Sequence, residues 1–215
     1  MGDTRDVVGI DGCRGGWIVA STNGVRVLPR LTLVGFDLAG IDMPIGLVDG
    51  PPRVCDVEAR RYLGPRRSSV FPAPPRAVLE CADYTTAVVI ARVVTGRGIS
   101  KQTFNIMRKI AELDRLVGEV DHQRVIEIHP ECAFLALNSG DHLPSKKTAA
   151  GQAIRRTLLG AHFDLPSRVP LGAAADDMLD AYAVLWSTLR FQRGEHVVFG
   201  DGQRDERGLE MRIIC

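Results

Sequence analysis

The segment Val7–Ala20, V-V-G-I-D-G-C-R-G-G-W-I-V-A, constrains this chain more than any other stretch. Two apolar runs, Val7–Asp11 and Trp17–Ser21, are divided by Gly12, Gly15 and Gly16, the pattern of a strand, a glycine-rich turn and a returning strand. Gly24 marks a second turn and Val25–Leu28 a third short run, so the segment predicts an antiparallel meander. Asp11 closes the first run. A carboxylate there requires a partner, because burying an unpaired charge costs several kcal/mol or more.

A fourth strand is expected over Ala39–Ile45, with Asp42 near its C-terminal end and Pro44 ending its ladder. Leu31–Leu38, just before it, is short, apolar and ambiguous, with a brief helix crossing the sheet as its reading. From Pro51 the character changes. Helical spacing over Arg53–Leu63, Asp83–Thr95 and Gln102–Val117 surrounds a proline- and arginine-rich loop, Gly64–Arg76, and predicts a helical insertion over residues 51–120. Strand character returns at Arg124–Ile128, followed by a short helix over Cys132–Asn138. A helix with a capping serine and a terminal glycine is expected over Ser145–Gly160. Ala173–Phe191 carries Met178, Leu179, Tyr182, Leu185, Trp186 and Leu189 at helical spacing, a core-facing stripe. A terminal hairpin, Glu195–Phe199 with Leu209–Ile214, is expected around the polar Asp201–Gly208 turn. Strands followed by helices, then a strand and more helices, give an α/β domain with a mixed sheet, one domain over residues 1–215.

A formal net charge of +1 gives no global field toward nucleic acid, so any such contact needs a local basic patch. Five scattered cysteines without C-x-x-C spacing point to reduced thiols, a cytoplasmic setting and no structural zinc. The N-terminus is too charged and brief for a signal peptide, and no apolar run is long enough to cross a bilayer.

Asp177 and Asp180 are three residues apart and share one face near a helix N-terminus, where the dipole tolerates anions. With Asp11 and Asp42 from strand ends they form a candidate four-member cluster. At about 4 Å and an effective dielectric near 20, each like-charge pair repels by about 4 kcal/mol. Such a cluster persists only with protons or a cation, and its hard oxygen ligands point to Mg²⁺ or Mn²⁺. Each acid also has a plain structural role open to it: turn former for Asp11 and Asp42, solvated first helical turn for Asp177 and Asp180. Glu127, inside an apolar strand, faces solvent or joins the site. His129 and Glu131 are candidates for proton shuttle and metal ligand, with an ordinary loop role as the alternative for the histidine.

The motifs G-I-D-G-C-R-G-G-W, I-D-M-P-I-G, R-R-S-S-V-F-P-A-P, K-Q-T-F-N-I-M-R-K-I, E-I-H-P-E and D-D-M-L-D-A-Y-A resemble, in this order, those of the family of unknown function DUF429. That family is regarded as predicted nucleases with a ribonuclease H-like fold: a mixed sheet of antiparallel meander and parallel strands, flanked by helices. The D-x-x-D-A-x-A pattern at Asp177–Ala183 is also similar to the last helix of Holliday-junction resolvases in the same superfamily. The resemblance implies Asp11, Asp42, Asp177 and Asp180 as metal ligands. The fourth-strand acid of such enzymes is usually glutamate. The shorter Asp42 leaves room for Glu127 or Glu131.

Arg66, Arg67, Ser68 and Ser69 in a rigid loop suit bidentate phosphate binding, and Lys101, Gln102 and Asn105 extend the patch along a helix. The expected function is a metal-dependent nuclease or phosphodiesterase acting on nucleic acid or another phosphodiester. Two alternatives stand beside it: a phosphotransferase or ATPase of the related actin-like fold, and a non-catalytic nucleic-acid-binding module.

Overall fold

In chain order the elements are β1 (Val7–Cys13), β2 (Gly16–Ser21), β3 (Gly24–Leu28), β4 (Leu38–Ile41), α1 (Val54–Leu63), α2 (Tyr84–Thr95), α3 (Lys101–Leu116), β5 (Val125–Glu127), α4 (Pro130–Leu137), α5 (Ala149–Gly160), α6 (Ala175–Gln192), β6 (Val198–Phe199) and β7 (Ile213–Ile214). This computed structural model describes residues 6–118 and 123–215. Residues 1–5, which carry most of the charged N-terminus, and residues 119–120 at the end of the expected insertion lie outside the described residues.

The chain divides into two units. The first comprises Met1–Asp42, Arg124–Val197 and Ile214–Cys215. Its sheet runs β3-β2-β1-β4-β5. β1 pairs antiparallel with β2 and β2 with β3, while β4 runs parallel to both β1 and β5. An antiparallel meander joined to parallel strands and flanked by helices is an α/β mixed sheet consistent with the ribonuclease H-like fold. β1 and β2 are buried almost throughout, as expected of strands at the centre of a covered sheet.

α6 lies directly on this sheet. Gly9 of β1 and Gly40 of β4 permit the approach. A side chain at Gly9 would strike the Leu185 backbone nitrogen and the Ala181 carbonyl, and one at Gly40 would strike the Thr188 hydroxyl and Ile128. The helix is consequently buried around most of its circumference. Besides the expected stripe, Ala181, Ala183, Val184, Ser187 and Thr188 are covered, whereas Trp186 and Leu189 are only partly so.

The second unit, Met43–Gln123 with Val198–Ile213, contains α1, α2 and α3. The expected 51–120 insertion falls within its longer segment. Asp83 caps α2 by accepting from the Thr86 N–H at 2.9 Å, and Ser100 caps α3 by accepting from the Thr103 N–H at 3.0 Å. Val78, Ala87, Ala91 and Met107 form an apolar cluster in this unit. Arg76 links two acids, pairing with Asp114 at 2.5 Å and also with Asp205.

Several local expectations are corrected. No helix forms over Leu31–Leu38, where Pro29 and the positive-φ Gly35 keep the chain irregular until β4 begins. β4 stops at Ile41 instead of reaching Ile45, so Asp42 is the first residue beyond it. α5 begins at Ala149, with Thr148 as its cap. Ser145 instead closes the preceding turn, its carbonyl accepting from the Thr148 N–H at 3.0 Å and the Thr148 hydroxyl at 2.8 Å. The Gly64–Arg76 loop contains a 3-10 turn over Gly64–Ser69. The terminal hairpin shrinks to strands of two residues each. All five cysteines are free thiols. No described helix is long and apolar enough to cross a membrane.

Candidate functional site

The strand register brings the first two acids together. Ile10 pairs with Ile41, and the Asp42 N–H extends that ladder by donating to the Ile10 carbonyl at 2.9 Å. Asp11 and Asp42 are therefore neighbours at the C-terminal edge of two parallel strands. Side chains alternate along a strand, so Asp11 shares a face with Gly9, and Asp42 with Gly40. That face is the one α6 covers. Gly9 meets the helix at Ala181 and Leu185, and the charges of Asp177 and Asp180, on the preceding turn, act on Asp11.

Electrostatics report the same convergence. The Asp11 carboxyl is pushed well above the usual carboxylate range, first by burial and then by the charges of Asp42 and Asp180. Burial raises Asp42 to about 7, offset in part by Lys146 and reinforced by Glu131. Asp180 is raised to about 6, again chiefly by burial, with Lys146 opposing and Asp42 and Glu131 adding. Asp11 also accepts from its neighbour's N–H, Gly12, at 2.6 Å.

Lys146, which sequence reasoning missed, stands among these acids. It lies on the connection between α4 and α5, and its Nζ is 2.5 Å from Asp180 Oδ2. The other Asp180 oxygen, Oδ1, is buried with no hydrogen-bond partner. The signal available in the sequence was indirect. A cluster of acids needs a counter-charge, and Lys146-Lys147 is a basic pair immediately ahead of a helix.

The other candidates have local partners. Asp177 accepts from the Ala174 N–H at 2.8 Å and so closes the first turn of its own helix, while its charge still acts on Asp11. Glu127 is buried in β5 and pairs with Ile41, which places it on the opposite face from Asp42. His129 caps α4, its Nδ1 accepting from the Glu131 N–H at 3.2 Å. Glu131 Oε1 is held at 2.7 Å by Arg155, a fully buried guanidinium stacked on Phe134.

A hard divalent cation suits the donors that converge here, all carboxylate oxygens, and the orphaned Asp180 Oδ1 is an oxygen such an ion would satisfy. As the side chains stand, however, no three His, Cys, Asp or Glu residues among those described gather closely enough to hold one. The ammonium of Lys146 supplies the positive charge instead.

The model of the family described as protein of unknown function (DUF429) matches residues 9–204. The chain belongs to that family. No curated protein and no solved structure matches it. The DUF429 match includes Asp11, Asp42, Glu127, Glu131, Asp177 and Asp180, as well as Arg66, Arg67 and Lys101 of the second unit.

In that unit Arg66, Arg67, Ser68 and Ser69 lie on the 3-10 turn after α1, and Lys101, Gln102 and Asn105 lie on the first turns of α3. Arg67 shares an open cleft of about 440 Å³ with Arg60, Arg61, Val57 and Gly64. Arg60 and Arg61, one turn before the loop, went unrecognised in the sequence because their helical spacing reads as a solvated face. Lys101 is engaged locally, its ammonium over the rings of Tyr84 and Phe104.

Proposed function

We propose that this DUF429 protein is a metal-dependent phosphodiesterase, with a nucleic acid as the class of substrate. The observation that supports this most is the convergence of Asp11, Asp42 and Asp180 on one edge of the sheet, with a buried carboxylate oxygen left unsatisfied. Charges of one sign raise one another's free energy, so a fold that gathers them without full neutralisation does so at a cost to stability.

Asp11, Asp42 and Asp180 would hold Mg²⁺ or Mn²⁺. The bound ion would lower the pKa of a coordinated water and draw charge from the phosphoryl oxygens. Asp11 and Asp42 are anchored by the ladder of two adjacent strands, and Asp180 by a helix buried against them, so their spacing is set by rigid elements. Glu131, oriented by Arg155, is the remaining carboxylate within electrostatic reach of Asp42. Arg60, Arg61 and Arg67 present guanidinium forks suited to phosphate oxygens.

The test is Mn²⁺ titration by calorimetry on the wild type and on Asp11→Asn, followed by cleavage assays on single-stranded, duplex, hybrid and branched nucleic acids. Saturable Mn²⁺ binding lost in Asp11→Asn, with Mn²⁺-dependent cleavage of at least one substrate, is the expected result. ATP turnover without cleavage would replace this reading with a phosphotransferase. Metal binding with neither reaction would leave a binding module.

A further inference from the structure

A lysine that neutralises one of several clustered acids is an incomplete counter-ion. Its single charge faces Asp11, Asp42 and Asp180, and it satisfies one oxygen of Asp180 while Oδ1 remains buried without a partner. A divalent cation would answer both shortfalls, yet it would compete with the ammonium for the Asp180 carboxylate. We propose that Lys146 is a displaceable latch: it closes the acidic site in the metal-free protein, and a divalent cation enters only by expelling it. This rests on the metal-site reading above.

The surroundings suit a side-chain movement with the backbone held still. On the N-terminal side of Lys146, Arg155 donates to the Pro144 carbonyl at 2.7 Å. On its C-terminal side, Thr148 caps α5 by accepting from the Gly151 N–H at 3.1 Å and ties back to Ser145. The residue between these anchors carries a four-carbon stem with several rotatable bonds. The Lys146 side chain is 37% exposed against 3% for Asp180, so the lysine borders solvent while its partner is enclosed. Arginine in the same place would grip a carboxylate with two parallel bonds, whereas lysine is a point charge that can leave.

The experiment measures Mn²⁺ affinity by calorimetry for the wild type, Lys146→Met and Lys146→Arg, with thermal unfolding of each to establish that it is folded. In parallel, wild-type protein is acetylated with and without saturating Mn²⁺, and the modification of Lys146 is read against its exposed neighbour Lys147 by mass spectrometry. The latch predicts Mn²⁺ binding about tenfold tighter in Lys146→Met, because the competing closed state is gone. It predicts no such gain in Lys146→Arg, and Lys146 acetylated several-fold faster when Mn²⁺ is bound. Tight binding by Lys146→Met alone supports it equally. Equal or weaker binding in a folded Lys146→Met overturns the latch and leaves the metal site standing, as does unchanged labelling of Lys146 at saturating Mn²⁺. No binding by either the wild type or a folded Lys146→Met removes both the latch and the metal site.

Discussion

Asp42→Asn is expected to make the metal-free protein more stable, and by an amount that depends on pH. Burial, with Glu131 adding, raises the folded-state pKa of Asp42 from 3.8 to about 7. Between those values the folded chain binds more protons than the unfolded one, so wild-type stability falls as pH rises through the window. The full shift corresponds to a ceiling of about 4 kcal/mol above pH 7. Asp42 is only half-buried, and solvent screening cuts the realised gain to about 1–2 kcal/mol. Asparagine keeps the shape and does not titrate, so its advantage should be near zero at pH 4 and reach its plateau above pH 7. Urea denaturation of both proteins across that range, with EDTA present, measures it. On the proposed metal site, saturating Mn²⁺ at pH 8 should then reverse the order, since a ligand at about 100 times its Kd stabilises by about 2.7 kcal/mol and the variant would lack one of the proposed donors. An Asp42→Asn protein no more stable than the wild type at pH 8, or a gain that does not grow with pH, would refute the claim that the acids are held together at a cost.

Gly9→Ala places a methyl group against the backbone of α6 at Ala181 and Leu185, and should cost at least about 2–3 kcal/mol or prevent folding, read by denaturant midpoint and soluble yield. Arg76→Leu removes the guanidinium paired with Asp205, whose side chain is fully buried, and leaves Asp114 to its second pair with Arg207; a loss of about 2–4 kcal/mol is expected by the same measurement. Arg67→Ala should weaken binding of single-stranded nucleic acid and make its salt dependence shallower by about 0.7 in log–log slope for each phosphate that the arginine neutralises. Unaltered affinity and slope would exclude Arg67 from the phosphate-binding surface.

The order of strands and helices was legible because each rests on local pattern. Alternating apolar runs broken by glycine give β1, β2 and β3, and the periodic stripe from Met178 gives α6. What failed depended on choices that local pattern does not decide. Ser145 and Thr148 are equally good caps by chemistry. Ser145 closes the turn before the helix, so the chain enters α5 three residues later than a serine cap implies. β4 ends at Ile41 because the chain bends at Asp42 and Met43, short of the proline expected to stop it. The depth of α6 was likewise hidden, since it follows from glycines on two other strands.

The candidate site divides along the same line. Spacing treats Asp177 and Asp180 as equivalent, one turn apart on one helix face. The fold does not: Asp177 closes the helix's own first turn while its charge reaches Asp11, and Asp180 is buried against the strands with one oxygen unsatisfied. Register, invisible in the sequence, likewise puts Asp42 and Glu127 on opposite faces although both stand in apolar runs. The counter-charge was the hardest element to read, because it comes from a loop with no motif. Composition still offers a clue. This chain has many arginines and four lysines, and it meets its buried acid with a lysine. At Glu131, Asp56 and Asp205, where the ion pair is part of the packing, it uses arginine. A planar fork suits a pair meant to stay closed, and a flexible ammonium suits one that has to open. The choice of residue at position 146 therefore fits the proposed latch better than a permanent ion pair.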